Sequence, residues 1–418
     1  MENKQQPSKM ISSKPLWIIG IINMIGRLLR SIGMRVGDAD TEAIIKKAMK
    51  KSEIISIIDY SFREPLDVLV QSANQQPSFS FVGRLSFRNI MIGLVSNRLK
   101  IDATLAAFPD IMERPIFIAA LPRTGTTILH RLFAQDASLR IPKSWEMLYP
   151  CPPPKKETYA TDPQIQKVEQ KLARLYKIAP QIKRIHEVGA HLPEECIFLF
   201  ANDLMGDWFN TVFDLPDYLQ WLNQQNLLFM YERHKKQLQV LQYHYPGERW
   251  VLKAPAHLRD LPSLMQTYPD AYIIQTHRDP SEVISSVASL EMAFWSVFHD
   301  DIRPEEIGQK MLELIGSWID RSMAAREQAE SDPNSQVRFL DINYKYLVTD
   351  PIGTIRNFYN QCDLAWSPLV EQQMTAFLEK NRQHKHGKHR YSLEQFGLKK
   401  DQVHERFAAY NQRFLGQS

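Results

Sequence analysis

The segment "LPRTGTT", at residues 121–127, places one basic side chain, one glycine and three threonines directly after a short apolar run. A glycine lets the backbone approach a ligand closely, and threonine hydroxyls and an arginine donate hydrogen bonds to negatively charged oxygens. We therefore expect this loop, with the start of the helix that follows it, to bind a phosphate-like anion. The residues expected to contact the anion are Pro122, Arg123, Thr124, Gly125, Thr126 and Thr127.

The loop differs from the Walker motif GxxxxGK[ST] of magnesium-nucleotide enzymes. It has no leading glycine, and its basic residue, Arg123, precedes Gly125 instead of following it. A magnesium-nucleotide site is therefore not predicted. Ordinary turn and helix-cap chemistry is an alternative explanation for the threonines.

A second segment with anion-binding chemistry is "RDPSEVISS", at residues 278–286. Arg278 follows an apolar strand pattern, and Ser286 lies eight residues later, on the second turn of the predicted helix. Ligands of open α/β sheets bind outside the carboxyl ends of the strands, so this pair is expected to hold a second phosphate. The alternative is an ion pair of Arg278 with Asp279 or Glu282 at the helix start.

The elements around these segments predict an α/β fold with a mostly parallel central sheet. From Arg114 onward the short apolar runs "IFIAAL", "RWVLK", "AYIIQTH" and "VRFLDI" each precede a helix-like stretch. From Thr41 to about Asp110, apolar residues recur at spacings of three and four, which is typical of helices. We expect a helical N-terminal segment at 1–112, packed on a catalytic domain at 113–418.

Composition narrows the possible partners and the compartment. The 51 basic and 47 acidic residues leave a net charge of only +4, which argues against a general polyanion binder such as a nucleic-acid-binding protein. The cysteines have no CxxC spacing, which predicts buried thiols in a reducing compartment, so we expect a cytoplasmic protein. They are Cys151, Cys196 and Cys362.

An apolar run near the N-terminus, Leu16–Gly26, is followed by Arg27, Arg30 and Arg35. It is shorter than the roughly 20 residues that span a bilayer. One interpretation is a helix that lies on the inner membrane surface, with contact through residues 15–35. The other is a helix packed on the protein's own core, which we favour because glycines within the run weaken an isolated helix.

Taken together and in this order, the segments resemble the motifs of the sulfotransferase superfamily, in particular bacterial sulfotransferases related to the tyrosylprotein and cytosolic enzymes. "PRTGTT" resembles the 5′-phosphosulfate loop, and "RDPSEVISS" resembles the 3′-phosphate motif with its step of eight from Arg to Ser. "YKYLVTDP", at 344–351, resembles the family's Tyr-x-x-Leu-x-x-Asp-Pro segment, and "WVLKAPAHL", at 250–258, resembles the strand with the active-site lysine, here Lys253. The resemblance covers roughly Arg114 to the C-terminus.

The resemblance implies a P-loop-like sulfotransferase fold and a metal-free, in-line transfer from 3′-phosphoadenosine 5′-phosphosulfate to a hydroxyl of a small, hydrophobic acceptor. Arg123 and Lys253 would stabilise the charge that develops on the sulfuryl oxygens and the leaving phosphate. The aromatic stretch at 208–231 either lines the acceptor pocket or belongs to the core. The oligomeric state is left open.

Four residues are candidates for the base that removes the acceptor proton. Glu146, in "KSWEMLYP", resembles the glutamate base of the tyrosylprotein branch and is the preferred candidate, although a surface carboxylate at a helix end is its simpler explanation. The cytosolic branch has a histidine two residues after the lysine, and this sequence has Pro255 there. The weaker candidates are His257, His186 and Glu195.

A basic segment at 380–398 is interpreted as a flap over the 3′-phosphate, with Lys388, His389 and Arg390 as its contacts. A metal site formed by His384, His386 and His389 is disfavoured, because adjacent Lys and Arg charges oppose a cation and no carboxylate is at hand. A solvated charged loop is the third possibility.

Two rival functions remain open from the sequence. A P-loop-like kinase would need the GK[ST] step and a Walker-type aspartate at a strand end, and neither is present. A non-catalytic protein that senses the 3′,5′-bisphosphate product, or uses its N-terminal helix on membranes, would bind the nucleotide without forming a sulfated product.

Overall fold

The computed structural model describes residues 17–104, 113–178, 180, 182, 187–381 and 392–416. At its centre lies a parallel sheet with strand order β2-β3-β1-β4-β5. This arrangement confirms the predicted α/β class, and four strands coincide with the four apolar runs. The strands are β1 (Ile116–Ile118), β2 (Leu139–Arg140), β3 (Arg249–Lys253), β4 (Tyr272–His277) and β5 (Arg338–Asn343).

Helices surround the sheet and form most of the described chain. In chain order they are α1 (Trp17–Ser31), α2 (Thr41–Ser52), α3 (Arg63–Gln75), α4 (Phe81–Thr104), α5 (Thr126–Phe133), α6 (Ser144–Leu148), α7 (Pro163–Ile178), α8 (Ile197–Asn202), α9 (Trp208–Phe213), α10 (Pro216–Asn223), α11 (Leu228–Gln242), α12 (Leu261–Thr267), α13 (Pro280–Phe298), α14 (Pro304–Ser331), α15 (Tyr344–Thr349), α16 (Pro351–Gln361), α17 (Pro368–Lys380), α18 (Lys400–Arg406) and α19 (Ala408–Phe414). Short 3-10 helices lie at Lys156–Thr158, Pro255–Arg259 and Leu393–Phe396.

The central strand β1 sets the position of the site. It is buried along its length and pairs in parallel with β3 and β4, with Ile118 beside Lys253 on one side and Ile274 on the other. Continuous apolar runs of this kind are typical of parallel strands covered by helices on both faces. Because the three strands run in the same direction, their carboxyl ends meet at one edge of the sheet.

The predicted helical layer at the N-terminus is present as α2, α3 and α4, and it shares one hydrophobic core with the rest of the chain. The ring of Phe79 lies 5.8 Å from that of Phe213, and Phe87 lies 5.4 Å from the same ring. The buried residues of α2 to α4 therefore belong to the same cluster as those around the sheet. A domain boundary between 112 and 113 stays a prediction.

A buried network of charges also joins this layer to the catalytic part. Arg98 of α4 is fully buried and donates to Asp102 (2.7 Å) and to Asp203 (2.5 Å), and Arg233 of α11 donates to the same two aspartates (2.7 and 2.8 Å). Each charge has opposite charges as neighbours, which offsets the cost of removing it from water. Losing one of these four residues would leave two buried charges with one opposite charge fewer each.

Helix α1 packs on α4 in an unexpected orientation. The Asn23 side chain accepts a hydrogen bond from the Val82 backbone N–H (3.0 Å), and Gly26 lies directly against Phe81. The expectation that the apolar run packs in the core is therefore wrong for most of its large side chains, which are exposed. These are Ile21, Ile22, Met24 and Ile25; Leu28 and Ile32, just beyond the run, are exposed as well. Within the described ranges, no helix has the length and apolarity needed to cross a membrane.

The three cysteines are buried free thiols, as predicted. Burial raises the pKa of Cys151 to about 11 and that of Cys196 to about 12. Thiols of this kind are poor nucleophiles at neutral pH, because the reactive thiolate is scarcely populated.

The burial of His299 predicts a pH-dependent stability. Its Nε2–H donates to the Phe213 carbonyl (3.0 Å), and its Nδ1 accepts from the Ser78 hydroxyl (2.8 Å). Burial lowers the pKa of His299 to about 4, whereas an unfolded histidine titrates at about 6.5. The depressed pKa therefore contributes stability above pH 6.5 that is lost as the pH falls towards 4, because only the unfolded chain takes up the proton.

We expect the melting temperature to fall from about pH 7 to about pH 5, with His299 contributing about 1.4 kcal/mol per pH unit. Calorimetric melting curves of wild type, His299→Gln and His244→Gln test this. The first variant should show a weaker pH dependence, and the second, at an exposed histidine, should match wild type. Equal pH dependence in all three proteins would contradict the expectation.

Candidate active site

The "LPRTGTT" loop joins β1 to α5 and has a backbone shape suited to an anion. Arg123 and Gly125 both have positive φ angles, 66° and 89°, and α5 begins at Thr126. The first N–H groups of a helix have no partner within the helix, and they carry the positive end of the helix dipole. The loop therefore ends in donors that can converge on a negatively charged group.

The threonines of the loop have different roles. The Thr124 hydroxyl is fully buried, donates to the Leu121 carbonyl (2.6 Å) and lies 2.5 Å from the Thr276 hydroxyl. Its side chain therefore fastens the loop to the end of β4, contrary to the expectation that it points at a ligand. Thr126 is also buried, and the exposed hydroxyl of the three is that of Thr127.

Gly125 is required by its surroundings as well as by its φ angle. A Cβ atom at this position would lie 2.7 Å from the Leu347 side chain and 3.2 Å from the ring of Tyr344. These two residues belong to the "YKYLVTDP" segment. No role in the site was predicted for either of them. The structure thus brings this segment into direct contact with the loop.

The two anion-binding segments touch each other. The Nε–H of Arg123 donates to the Ser286 hydroxyl (3.0 Å), and the Arg278 guanidinium donates to the carbonyl of Arg123 (2.9 Å). Ser286 is buried on the second turn of α13, and Arg278 directly follows β4. The predicted juxtaposition of the loop with Arg278 and Ser286 is therefore present in the structure.

The alternative proposed for Arg278 is present as well. Its guanidinium forms an ion pair with Glu282, one helical turn further along. It also lies 4.4 Å from the centre of the Tyr344 ring, within the range of a cation–π contact. The ion pair and the contact with the loop coexist, because a guanidinium carries five N–H donors.

Lys253 lies at the carboxyl end of β3, beside Ile118 of the central strand, and forms an ion pair with Glu195. The Lys253 side chain is almost fully buried, whereas the Glu195 side chain is 15% exposed. The backbone N–H of Cys196 donates to the Lys253 carbonyl (2.9 Å), which fixes the start of α8 beside the strand. One basic and one acidic group are therefore paired next to the loop.

Glu146, the preferred base candidate, is fully buried and has its own set of partners. Arg140 binds both its oxygens, the Tyr159 hydroxyl donates to it (2.6 Å), and so does the backbone N–H of Lys143 (2.9 Å). Burial disfavours the charge on Arg140, yet the adjacent carboxylate raises the pKa of the guanidinium above its ordinary value. These contacts are typical of a structural ion pair. Three rings surround the guanidinium: Tyr159, Tyr245 and Trp250.

The remaining candidates are less well placed or lie outside the described residues. His257 is fully buried, its Nδ1 lies 3.0 Å from the Tyr231 hydroxyl, and burial lowers its pKa well below the ordinary value. It is therefore neutral and enclosed, which argues against a base at an open site. The candidates outside the described residues are His186, Lys388, His389 and Arg390.

The aromatic stretch at 208–231 lies mainly in the core. Phe209, Phe213, Tyr218 and Tyr231 are buried in the main cluster, which favours the core interpretation over a pocket wall. Trp208 is half-buried beside Phe198, with ring centres 6.1 Å apart.

A set of hydrogen bonds supports the end of β4 and the segment that follows it. These hydrogen bonds were not predicted. The Nε2–H of His277 donates to Asp341 (2.7 Å), and its Nδ1 accepts from the Tyr410 hydroxyl (3.0 Å). His404 contacts Asp279 at 3.3 Å. Helices α18 and α19 thereby hold the backbone on both sides of Arg278. Such long-range partners leave no local signal in a single sequence.

The described residues contain no group of three or more His, Cys, Asp and Glu side chains that could hold a metal ion. The three histidines of the disfavoured metal interpretation, His384, His386 and His389, fall outside those residues.

A parallel sheet, a β1–α5 loop and a second basic segment in contact with that loop are the features of a P-loop-like α/β protein. Comparison with protein families is consistent with this class. The model of the sulfotransferase family matches residues 115–368, more than half of the chain, and the protein belongs to that family.

Individual relatives agree with this assignment. The omega-hydroxy-beta-dihydromenaquinone-9 sulfotransferase Stf3 of Mycobacterium bovis is 24% identical over 293 residues, which cover 68% of this chain and 72% of the relative. The crystal structure of sulfotransferase STF1 from Mycobacterium tuberculosis H37Rv has a TM-score of 0.78 at 29% identity, covering 90% of this chain and 100% of that one. STF9 from Mycobacterium avium gives 0.80 at 27% identity, with 89% and 96% covered.

The protein is therefore a sulfotransferase. This assignment replaces the two rival functions, a P-loop-like kinase and a non-catalytic binding protein. The family implies a sulfuryl donor, and the relatives with known acceptors act on small molecules.

We expect Gly125→Ala to disrupt the loop, because its Cβ would collide with Leu347 and alanine is strained at this φ angle. Affinity for adenosine 3′,5′-bisphosphate, measured by titration calorimetry, should fall by about tenfold or more. The control is Gly93→Ala in α4, where the nearest atom, of Lys51, lies 3.6 Å from the new Cβ. Unchanged affinity in Gly125→Ala would show that the loop does not bind the nucleotide.

Proposed function

We propose that the protein transfers the sulfuryl group of 3′-phosphoadenosine 5′-phosphosulfate to the hydroxyl of a small, hydrophobic molecule. The observation that carries this proposal is the contact between the two anion-binding segments, made by Arg123, Ser286 and Arg278. A donor with anionic groups on the 3′ and 5′ sides of one ribose needs two anion sites that lie side by side.

Each segment has a separate role in holding the donor. The loop residues Pro122 to Thr127 would surround the 5′-phosphosulfate, with backbone N–H groups donated from Arg123 onward and with the Arg123 charge. Arg278 and Ser286 would bind the 3′-phosphate. The short distance between Arg123 and Ser286 supports the binding of one nucleotide by both sites at the same time. Lys388, His389 and Arg390 stay proposed contacts from the C-terminal segment.

We assign the proton transfer to Glu195 in preference to Glu146. Both carboxylates are paired with a cation, but Glu146 is fully buried and bonded on both oxygens, whereas Glu195 is partly exposed beside Lys253. A base must reach the acceptor hydroxyl, so the exposed carboxylate is the better candidate.

The proposed reaction is a single in-line displacement. The bond between sulfur and the bridging phosphate oxygen breaks, a bond from sulfur to the acceptor oxygen forms, and the hydroxyl proton passes to Glu195. Adenosine 3′,5′-bisphosphate then leaves. Arg123 and Lys253 would stabilise the negative charge that develops on the sulfuryl and leaving oxygens, as preorganised donors do in phosphoryl transfer.

A hydrophobic alcohol is the proposed acceptor class. The name of Stf3 describes a hydroxylated menaquinone derivative, a lipophilic alcohol, as the acceptor of that relative. The half-buried rings of Phe198 and Trp208 supply apolar surface just after Glu195 in the chain. We place the reaction in the cytoplasm, which the buried free thiols support.

The base assignment is tested by Glu195→Gln and Glu146→Gln, with product sulfation followed by mass spectrometry on a panel of hydrophobic alcohols. We expect Glu195→Gln to lower kcat by about 10²-fold, the usual scale for loss of a general base. Its affinity for the bisphosphate product should stay near wild type.

Glu146→Gln should instead lower the melting temperature, because it leaves the buried Arg140 without its counter-charge. A Glu146→Gln protein that folds normally but has lost turnover, alongside an active Glu195→Gln, would restore Glu146 as the base. Absence of any sulfated alcohol in the wild type would reject the proposed acceptor class.

The 3′-phosphate site is tested by Ser286→Ala, with Ser285→Ala as the matched control on the same helix. Ser285 is equally buried, and its hydroxyl turns back to the Ser281 carbonyl. We expect Ser286→Ala to weaken binding of adenosine 3′,5′-bisphosphate by about tenfold, the scale of one hydrogen bond to a charged group. Binding of adenosine 5′-phosphate should change little. An equal loss of affinity for both nucleotides would contradict the assignment of Ser286 to the 3′-phosphate.

A further inference from the structure

Helix α1 has the reverse of the usual polarity of a helix in a globular protein. Surface helices normally bury their apolar stripe and expose their polar one. Here the apolar side chains point outward, with Met24 56%, Leu28 66% and Ile32 68% exposed. We call the exposed apolar side the outer face of α1; its residues are Ile21, Ile22, Met24, Ile25 and Leu28 of the helix and Ile32, which directly follows it.

The contacts of the inner side fix this orientation. A Cβ atom on Gly26 would lie 2.3 Å from the Phe81 side chain, so the two helices approach at a position that accepts no other residue. The buried Asn23 caps the start of α4 by accepting from Val82, and Arg27 pairs with Asp300 (2.7 Å). Turning α1 to bury its outer face would break all of these contacts.

Basic side chains lie within α1, just after it and along α2. Arg30 pairs with Asp38, but Arg35, which closely follows α1, is exposed. Along α2, which packs on the same helix α4, the solvent side carries a row of lysines, and its Glu42 is paired with Arg63. The exposed lysines of α2 are Lys46, Lys47, Lys50 and Lys51.

We propose that the outer face of α1 binds the surface of an anionic lipid bilayer. An apolar helix face with basic side chains nearby is the chemistry of helices that lie in the membrane interface, with the apolar side among the acyl chains and the cations at the headgroups. A second copy of this chain is a poorer occupant, because it would bring the same lysines and arginines towards each other.

The position of α1 also suits delivery of a membrane-dissolved acceptor. Helix α13 carries Ser286 near its start, and at its other end the Phe298 carbonyl accepts from the Ser80 N–H (2.8 Å), just before α4. Asp300, two residues later, holds Arg27 of α1. The 12 residues from Ser286 to Phe298 span about 18 Å of helix, so the donor site lies within reach of a long acceptor rooted in the bilayer. Binding to lipid does not itself depend on the proposed acceptor.

The test is co-sedimentation of the full chain with phosphatidylcholine vesicles that contain or lack phosphatidylglycerol. The variant Leu28→Glu/Ile32→Glu places charge on the outer face, and Leu369→Glu, at a leucine 61% exposed on α17, is the matched control. Wild type and Leu369→Glu should bind the anionic vesicles. The double variant should bind at least roughly tenfold more weakly, because two apolar anchors are lost and two negative charges are added.

Turnover of a water-soluble alcohol should be equal in all three proteins, so that loss of lipid binding is distinguished from loss of the sulfotransferase site. Failure of wild type to bind anionic vesicles, or equal binding by the double variant, would overturn the proposal. It would also be overturned by a wild-type dimer in analytical ultracentrifugation that the double variant abolishes while vesicles stay unbound, since the occupant would then be a second copy.

Discussion

The donation from the Arg278 guanidinium to the carbonyl of Arg123 joins the β1–α5 loop to the segment that follows β4. With the return contact from Arg123 to Ser286, it makes the β1–α5 loop and the start of α13 one unit. The parallel pairing of β1 with β4 allows this contact, because the carboxyl ends of the two strands lie at the same edge of the sheet. The close approach of Tyr344 and Leu347 then leaves room for glycine alone at position 125.

Two ion pairs in the molecule have similar chemistry but differ in how deeply they are buried. The difference in burial determines the role of each pair. The pair of Arg140 and Glu146 is enclosed by aromatic rings, so its charges stabilise a fixed structure. The pair of Lys253 and Glu195 lies at the carboxyl ends of the strands, and its Glu195 side chain is partly exposed. A ligand with its own charges can compete for a partner of the second pair but cannot reach the first.

The sequence predicted the sheet, four of its strands and the meeting of the two anion segments, because strand hydrophobicity and the residues after each strand are local signals. It did not predict β2, whose two residues are too short to form a pattern, or the inward turn of the Thr124 hydroxyl. It ranked Glu146 above Glu195. The hydrogen-bond partners of Glu146 lie within 13 residues of it, but a single sequence does not show that they enclose its carboxylate. An outward apolar face of α1 was one of two interpretations of the sequence and not the favoured one, because the periodicity of a helix identifies an apolar side but not which neighbour it meets.

The contact between His277 and Tyr410 joins residues 133 positions apart. During synthesis on the ribosome, β4 therefore emerges long before the helix that braces its end. Until α18 and α19 have been made and have docked, the backbone around Arg278 lacks two of its supports, those from Tyr410 and His404. The backbone around Arg278 can therefore reach its braced arrangement only after α18 and α19 have left the ribosome and docked.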